Sequence, residues 1–427
     1  MILFLSFACT KPCSSIFEHG EQKTIDVANT QWTQTALQEG ICGPAFIHTA
    51  NIDDDPEEEI LISNFNRPDG FSLPNGFVTS YSYSDLSYTN PISESQGYKW
   101  PNDIVPHDMD GDGDLDLLIG FGFLTCDLNP WTDSCGGLAW FEQSADGWKE
   151  HVVVEQGSEL FYHKALMLDI NDDGREDLLA AGEQYFTPFG GIDQGVFQYW
   201  LRKEDGSFSE EPTTIVEGLG SIPQLFDIDG DGDEDILSSE YFVPDALSAV
   251  WLEQTDSSDP NERFIKHVID DESGPSIQVE MVSDLFQDGK DYALLSNHSN
   301  TEKSNPDPYK SALYLLEPPE DPTTAWIKTP VYDDFVSDSS SNQAAPGIFD
   351  VGDIDGDGDL DILISGDGDP RVMWMEQVEQ EFIPHVLFED MPQAGVHIAD
   401  LNQDGQNEMI IGSYELNVVF VLQKGAL

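Results

Sequence analysis

The sequence predicts an all-β fold, a seven-bladed β-propeller of four-stranded blades. Three observations predict it. An acidic loop of one pattern recurs seven times, each copy runs straight into a short apolar stretch, and most copies are followed by an aromatic-rich segment. Four short strands per unit, repeated in phase, is the pattern of a propeller rather than of several independent cores.

The loops come first. The copies are "NIDDDPEEEILI" from Asn51, "DMDGDGDLDLLI" from Asp108, "DINDDGREDLLA" from Asp169, "DIDGDGDEDILS" from Asp227, "DLFQDGKDYALL" from Asp284, "DIDGDGDLDILI" from Asp353 and "DLNQDGQNEMII" from Asp400. Their first residues are spaced by 57, 61, 58, 57, 69 and 47 residues, so nearly the whole chain is used. Oxygen-bearing side chains stand at positions 1, 3, 5 and 9, with glycine usual at 6. Hard oxygen donors at alternate positions around a tight turn suit calcium. Position 12 is apolar or small and the loop leads into a strand, which excludes the helix-flanked calcium loop with a terminal glutamate.

The ligand sets follow loop by loop. Full sets are Asp108, Asp110, Asp112 and Asp116; Asp227, Asp229, Asp231 and Asp235; and Asp353, Asp355, Asp357 and Asp361. Asp114, Asp233 and Asp359 occupy position 7, where the backbone carbonyl is the expected donor. Asp169, Asn171, Asp173 and Asp177 form another set, as do Asp400, Asn402, Asp404 and Glu408. Asn51, Asp53, Asp55 and Glu59 form a set with Pro56 in place of the turn glycine. The fifth copy carries Phe286 at position 3 and Tyr292 at position 9 and is expected to hold no ion, leaving five or six calcium ions.

The second landmark completes the unit. Segments such as "LAWFEQSADGWKEHVV", "AVWLEQTDSSDPNERFIKHVI" and "VMWMEQVEQEFIPHVL" each read as strand, polar turn, strand. The expected blades are 41–95, 100–156, 162–218, 221–271, 277–336, 346–391 and 394–424. The last lacks a fourth strand, and Trp32–Leu37 near the other end of the chain is expected to supply it, closing the ring with residues 31–40.

The "DxDGDGxxD" loops with trailing "W-x-E" strands resemble the FG-GAP/VCBS repeat family, whose blades also build the integrin α-subunit head. The resemblance covers roughly residues 30–424. It implies a calcium-stabilised propeller and leaves function open, because propellers host many activities.

Composition narrows the partners. Lys+Arg number 17 against 82 Asp+Glu, a net charge of −65, which argues against nucleic acid and anionic membrane surfaces. The first residues, "MILFLSFACTKPCSS", look like the end of a bacterial lipoprotein signal, with Cys9 as the lipidated residue and 1–30 as leader and linker. No stretch has the length of a transmembrane span. The expectation is an exported, monomeric, bacterial cell-surface or extracellular protein. Cys126 and Cys135 bracket one loop and are expected to pair, with Cys13 and Cys42 as the remaining pair.

Function is sought opposite the calcium loops, where long variable loops gather. Tyr98, Trp100, Trp131, Phe161, Tyr162, Tyr185 and Phe186 are candidates for one aromatic sector that stacks on a sugar or meets a protein. The alternative is that these rings pack their own segments. His48 and His397 each stand three residues before a first loop ligand and are expected to face each other. They, with His163 and Tyr162, are the catalytic candidates if the chain is instead a carbohydrate-active enzyme such as a polysaccharide lyase. The favoured expectation is a binding or adhesion module for a glycan or protein.

Overall fold

The computed structural model describes residues 13, 15–53, 56–66, 75–84, 86–92, 98–123, 135–144, 147–184, 194–240, 247–257, 262–299, 309–337 and 344–425. Among the described residues every element is a β-strand, and the acidic loops join the first strand of a repeat to the second. The second strands begin at loop position 9 or its equivalent: Glu59–Asn64, Asp116–Phe121, Asp177–Gln184, Asp235–Ser239, Tyr292–Asn297, Asp361–Asp367 and Glu408–Ser413. They are buried almost throughout. That is why their sequences are continuous apolar runs rather than alternating ones. The fourth strands, such as Glu381–Phe388, alternate between exposed and half-buried residues, as an outer strand with one wet face must.

The chain divides into two compact units. The first comprises Met1–Ile104, Asn300–Pro306 and Phe335–Leu427. It holds the antiparallel sheets of repeats 1, 6 and 7. The sheet of repeat 7 has five strands, because two N-terminal strands add to it. Thr30–Leu37 pairs with Val418–Lys424 from Trp32↔Lys424 to Leu37↔Val419, so the segment expected to act as a fourth strand does so. Gln22–Val27 then pairs with Thr30–Leu37 as a fifth strand. The sequence reading placed this segment in a linker; its outer position and mostly polar residues hide it from a hydrophobic pattern. Trp32 is fully buried and meets Trp374 edge-on, with ring centroids 5.9 Å apart.

The second unit comprises Val105–Ser299 and Asp307–Asp334. It holds repeats 3, 4 and 5 and most of repeat 2, whose first strand, Pro101–His107, starts in the first unit. Repeats 4 and 5 form one eight-stranded sheet, joined by a parallel bridge between Ile222 and Gln278 on their first strands. Close approach of neighbouring sheets is built into glycines. A Cβ on Gly120 would lie 2.3 Å from the Tyr162 carbonyl oxygen, so repeat 3's first strand lies against repeat 2 only because that position is bare.

Cys13 and Cys42 form a disulfide. Cys135 is also disulfide-bonded, and Cys126, its expected partner, lies outside the described residues, as does Cys9. Disulfides point to an extracellular protein. Among the described residues no helix is long and apolar enough to cross a membrane.

Candidate metal centres and a histidine cluster

The acidic loops share one hydrogen-bonded turn. In repeats 2, 4 and 6 the position-1 aspartate accepts two backbone N–H bonds, from the glycines at positions 4 and 6. The distances are 2.8 and 3.2 Å at Asp108, 2.8 and 3.2 Å at Asp227, and 2.7 and 3.0 Å at Asp353. Position 4 takes a positive φ in these loops, 81° at Gly111, and also in repeats 3 and 7, where Asp172 and Gln403 adopt 57° and 56°. Only glycine meets that conformation without a Cβ penalty, which explains the "DGDG" of the three fullest loops.

Position 9 is a clasp as well as a donor. Asp116 accepts the N–H of Met109 on one oxygen and that of Gln143 on the other, both at 2.8 Å. Asp177, Asp235 and Asp361 do the same with Ile170 and Arg202, Ile228 and Gln254, and Ile354 and Gln377. In repeat 7, Glu408 accepts from Leu401 at 3.0 Å, and in repeat 1, Glu59 accepts from Ile52 at 3.0 Å. Each position-9 group therefore ties its loop to the start of the sheet.

Three loops bring carboxylates together. Asp108, Asp110 and Asp116, then Asp227, Asp229 and Asp235, then Asp353, Asp355 and Asp357 each place ligand oxygens within 4.8 Å of one another. Asp112, Asp231 and Asp361 belong to the same turns, with Asp114, Asp233 and Asp359 at position 7. In repeats 3 and 7 the turn is the same but an asparagine, Asn171 or Asn402, stands at position 3, so fewer carboxylates gather there. Asp169 and Asp400 still accept two turn N–H groups each, and Asp173 and Asp404 sit at position 5. In repeat 1, Asn51 and Asp53 are described and Asp55 lies outside the described residues.

The charge state of these loops calls for a counter-charge. Burial, and then the neighbouring carboxylates, push Asp177 up to about 6 and Asp235, Asp361 and Glu408 up to about 7. Asp116 moves in the same direction, also through burial first. An all-oxygen donor set crowded until its members resist ionising fits a hard divalent cation of calcium's size. Repeat 5 differs as its sequence indicates. The Phe286 and Tyr292 rings meet edge-on at 5.0 Å, and the Tyr292 hydroxyl donates to Asp288 at 2.8 Å.

His48 and His397, in the first unit, do come together. Their ring centroids lie 5.7 Å apart. His48 Nε2 is bonded to the buried Asp103. His397 Nδ1 pairs with Asp350 at 2.7 Å, and its Nε2 meets the Thr49 hydroxyl at 3.3 Å. Burial alone would lower the pKa of His397, but Asp350, with Glu58 and Asp103 behind it, outweighs burial and raises it. Asp103 and Asp350 were not legible as site residues, because they stand on first strands far apart in sequence.

The aromatic sector is corrected. Tyr98, Trp100, Phe161 and Tyr162 are all buried and offer no exposed ring face. Trp100 packs edge-on against Phe65 at 5.0 Å, and Tyr162 against Trp200 at 6.0 Å. Segments entering a first strand run between sheets rather than over the surface, which is why their rings are taken by the core. Burial also raises the Tyr162 phenol well above its ordinary range. His163 is buried, 3.1 Å from Glu183, with the Phe161 ring edge-on to it at 5.3 Å. Trp131, Tyr185 and Phe186 lie outside the described residues.

Sheets of this order, opened by acidic turns, make an all-β, propeller-like architecture with three acidic groups able to hold metal ions. Residues 169–238 and 353–411 match the FG-GAP-like repeat model, and the chain carries these repeats there. The solved structure titled "BBS1N in complex with ARL6DN, soaked with lead" is similar in fold. Its TM-score is 0.53 at 9% identity, over 90% of this chain and 94% of that one. No curated protein matches the chain.

Proposed function

We propose that the chain is an exported, seven-bladed propeller, closed by Thr30–Leu37, whose loops hold five or six calcium ions as structural staples. On this reading it works as a binding or adhesion module for a glycan or protein. The observation that carries the calcium reading is the convergence of Asp108, Asp110 and Asp116 and its repetition in two further loops. The ligand is assigned to segments 124–134 and 185–193 of the second unit, which stand in sequence between a second and a third strand. With four of the seven aromatic candidates withdrawn into the core, recognition falls to Trp131, Tyr185 and Phe186 on these loops. The test is a panel of neutral and acidic polysaccharides presented to the calcium-loaded protein, read for retention and for released fragments. Retention without fragments, lost in W131A, supports the module; fragments refute it.

One observation favours a second reading. The paired imidazoles of His48 and His397, each held by a carboxylate, form an arrangement able to give and take protons. A carbohydrate-active enzyme such as a polysaccharide lyase would use it, and H48A and H397A would then abolish fragment release.

A further inference from the structure

The third strand sets one residue directly opposite position 9 of each loop. The registers Leu117↔Phe141, Ile236↔Leu252 and Ile362↔Met375, continued by one residue, put Glu142 across from Asp116, Glu253 across from Asp235 and Glu376 across from Asp361. Directly opposed residues share a face with Cβ atoms about 5 Å apart, and like charges there repel. This opposition occurs in the same three repeats whose loops gather carboxylates.

The three glutamates are held by matching histidines, and Glu142 Oε2 also accepts from Lys149 Nζ at 2.6 Å. Oε2 of Glu142, Glu253 and Glu376 is 2.6 Å from Nε2 of His151, His267 and His385, respectively. Each histidine ring lies against the tryptophan two residues before its glutamate, with centroids 3.9, 4.6 and 5.1 Å apart. Among the described residues, none of the three Oε1 atoms has a hydrogen bond.

Repeat 5 carries the contrasting case. Glu317 stands opposite Tyr292 by the register Ala293↔Leu316, while Leu315 and Thr329 replace the tryptophan and histidine. Position 7, aspartate in the three fullest loops, is Lys290, and its Nζ meets Glu317 Oε1 at 2.6 Å. Where the loop has lost two metal ligands to aromatic residues, it supplies the same glutamate with a fixed positive charge.

We propose that Glu142, Glu253 and Glu376 complete the cation sites of their own loops through Oε1, held in place by the histidines, and that Lys290 replaces the cation in repeat 5. This rests on the calcium reading above. A carboxylate ligand fixed by a hydrogen bond on its second oxygen is the usual construction of a tuned metal site, and disturbing such a group weakens binding about 10- to 100-fold.

The experiment titrates calcium into decalcified protein by calorimetry and counts bound ions by elemental analysis. E253Q is expected to keep the ion count at saturation and weaken one site about tenfold. D233K, which copies Lys290 beside an intact Glu253, is expected to bind one ion fewer and to melt higher than the parent without calcium. E142Q and E376Q repeat the measurement at independent sites, so misfolding of one variant does not decide the matter. Unchanged affinities in all three glutamine variants, while D231A loses one ion, would overturn the proposal. A parent protein that binds no calcium at all would instead overturn the reading on which it rests.

Discussion

Removing calcium should make stability depend on pH in an unusual direction. Asp235, Asp361 and Glu408 are raised to about 7, and Asp177 to about 6, in the folded chain without ions. Unfolded carboxylates ionise near 4. Between those limits the folded state binds more protons than the unfolded state, so stability falls as pH rises and levels off above about 7. Each group contributes at most about 1.4 kcal/mol per pH unit across the interval between its unfolded and folded pKa. The assay is thermal melting of decalcified, chelator-free protein from pH 5 to 8. D235N, neutral at every pH, should make the slope shallower and melt higher than the parent at pH 8. Saturating calcium should flatten the profile, because an ion at 100 times its Kd adds about 2.7 kcal/mol per site. Ion binding should also release protons. A decalcified protein whose melting temperature is constant or rises across this range would refute the reasoning.

Three further outcomes are expected. Trp32→Ala, which empties a fully buried site against Trp374, should cost about 3–5 kcal/mol by denaturant unfolding. Removing the Cys13–Cys42 bond, which spans a separation of 29 residues, with the double variant C13A/C42A should cost about 3–4 kcal/mol, read as a lower unfolding midpoint in denaturant. Asp110→Ala should lower the bound-ion count by one, whereas Asp288→Ala should leave it unchanged, because Asp288 already pairs with the Tyr292 hydroxyl.

Much of the fold was legible because most repeats announce themselves twice, by a turn with glycine at position 6 and by the apolar run that follows. Trp32–Leu37 was legible as a fourth strand because the seventh repeat visibly lacked one. Gln22–Val27 was not, since an outer strand that buries little carries no pattern. The aromatic sector failed for a different reason. Phe161 and Tyr162 read as surface residues by position, but bare Gly120 lets their strand press against the neighbouring sheet. The glutamates of the "W-x-E" segments were in view, yet their meaning depends on register, which fixes what stands opposite. Asp103 and Asp350 reach the histidines only through tertiary contact.

The position of the first disulfide has a mechanical consequence. Cys13 precedes the hairpin formed by Gln22–Val27 and Thr30–Leu37, and Cys42 follows it. A pull on any residue upstream of Cys13 passes through sulfur to Cys42 and on into Pro44–Ala50, the first strand of repeat 1. The hairpin carries no load, so the seventh sheet is not unzipped by tension at the N-terminus.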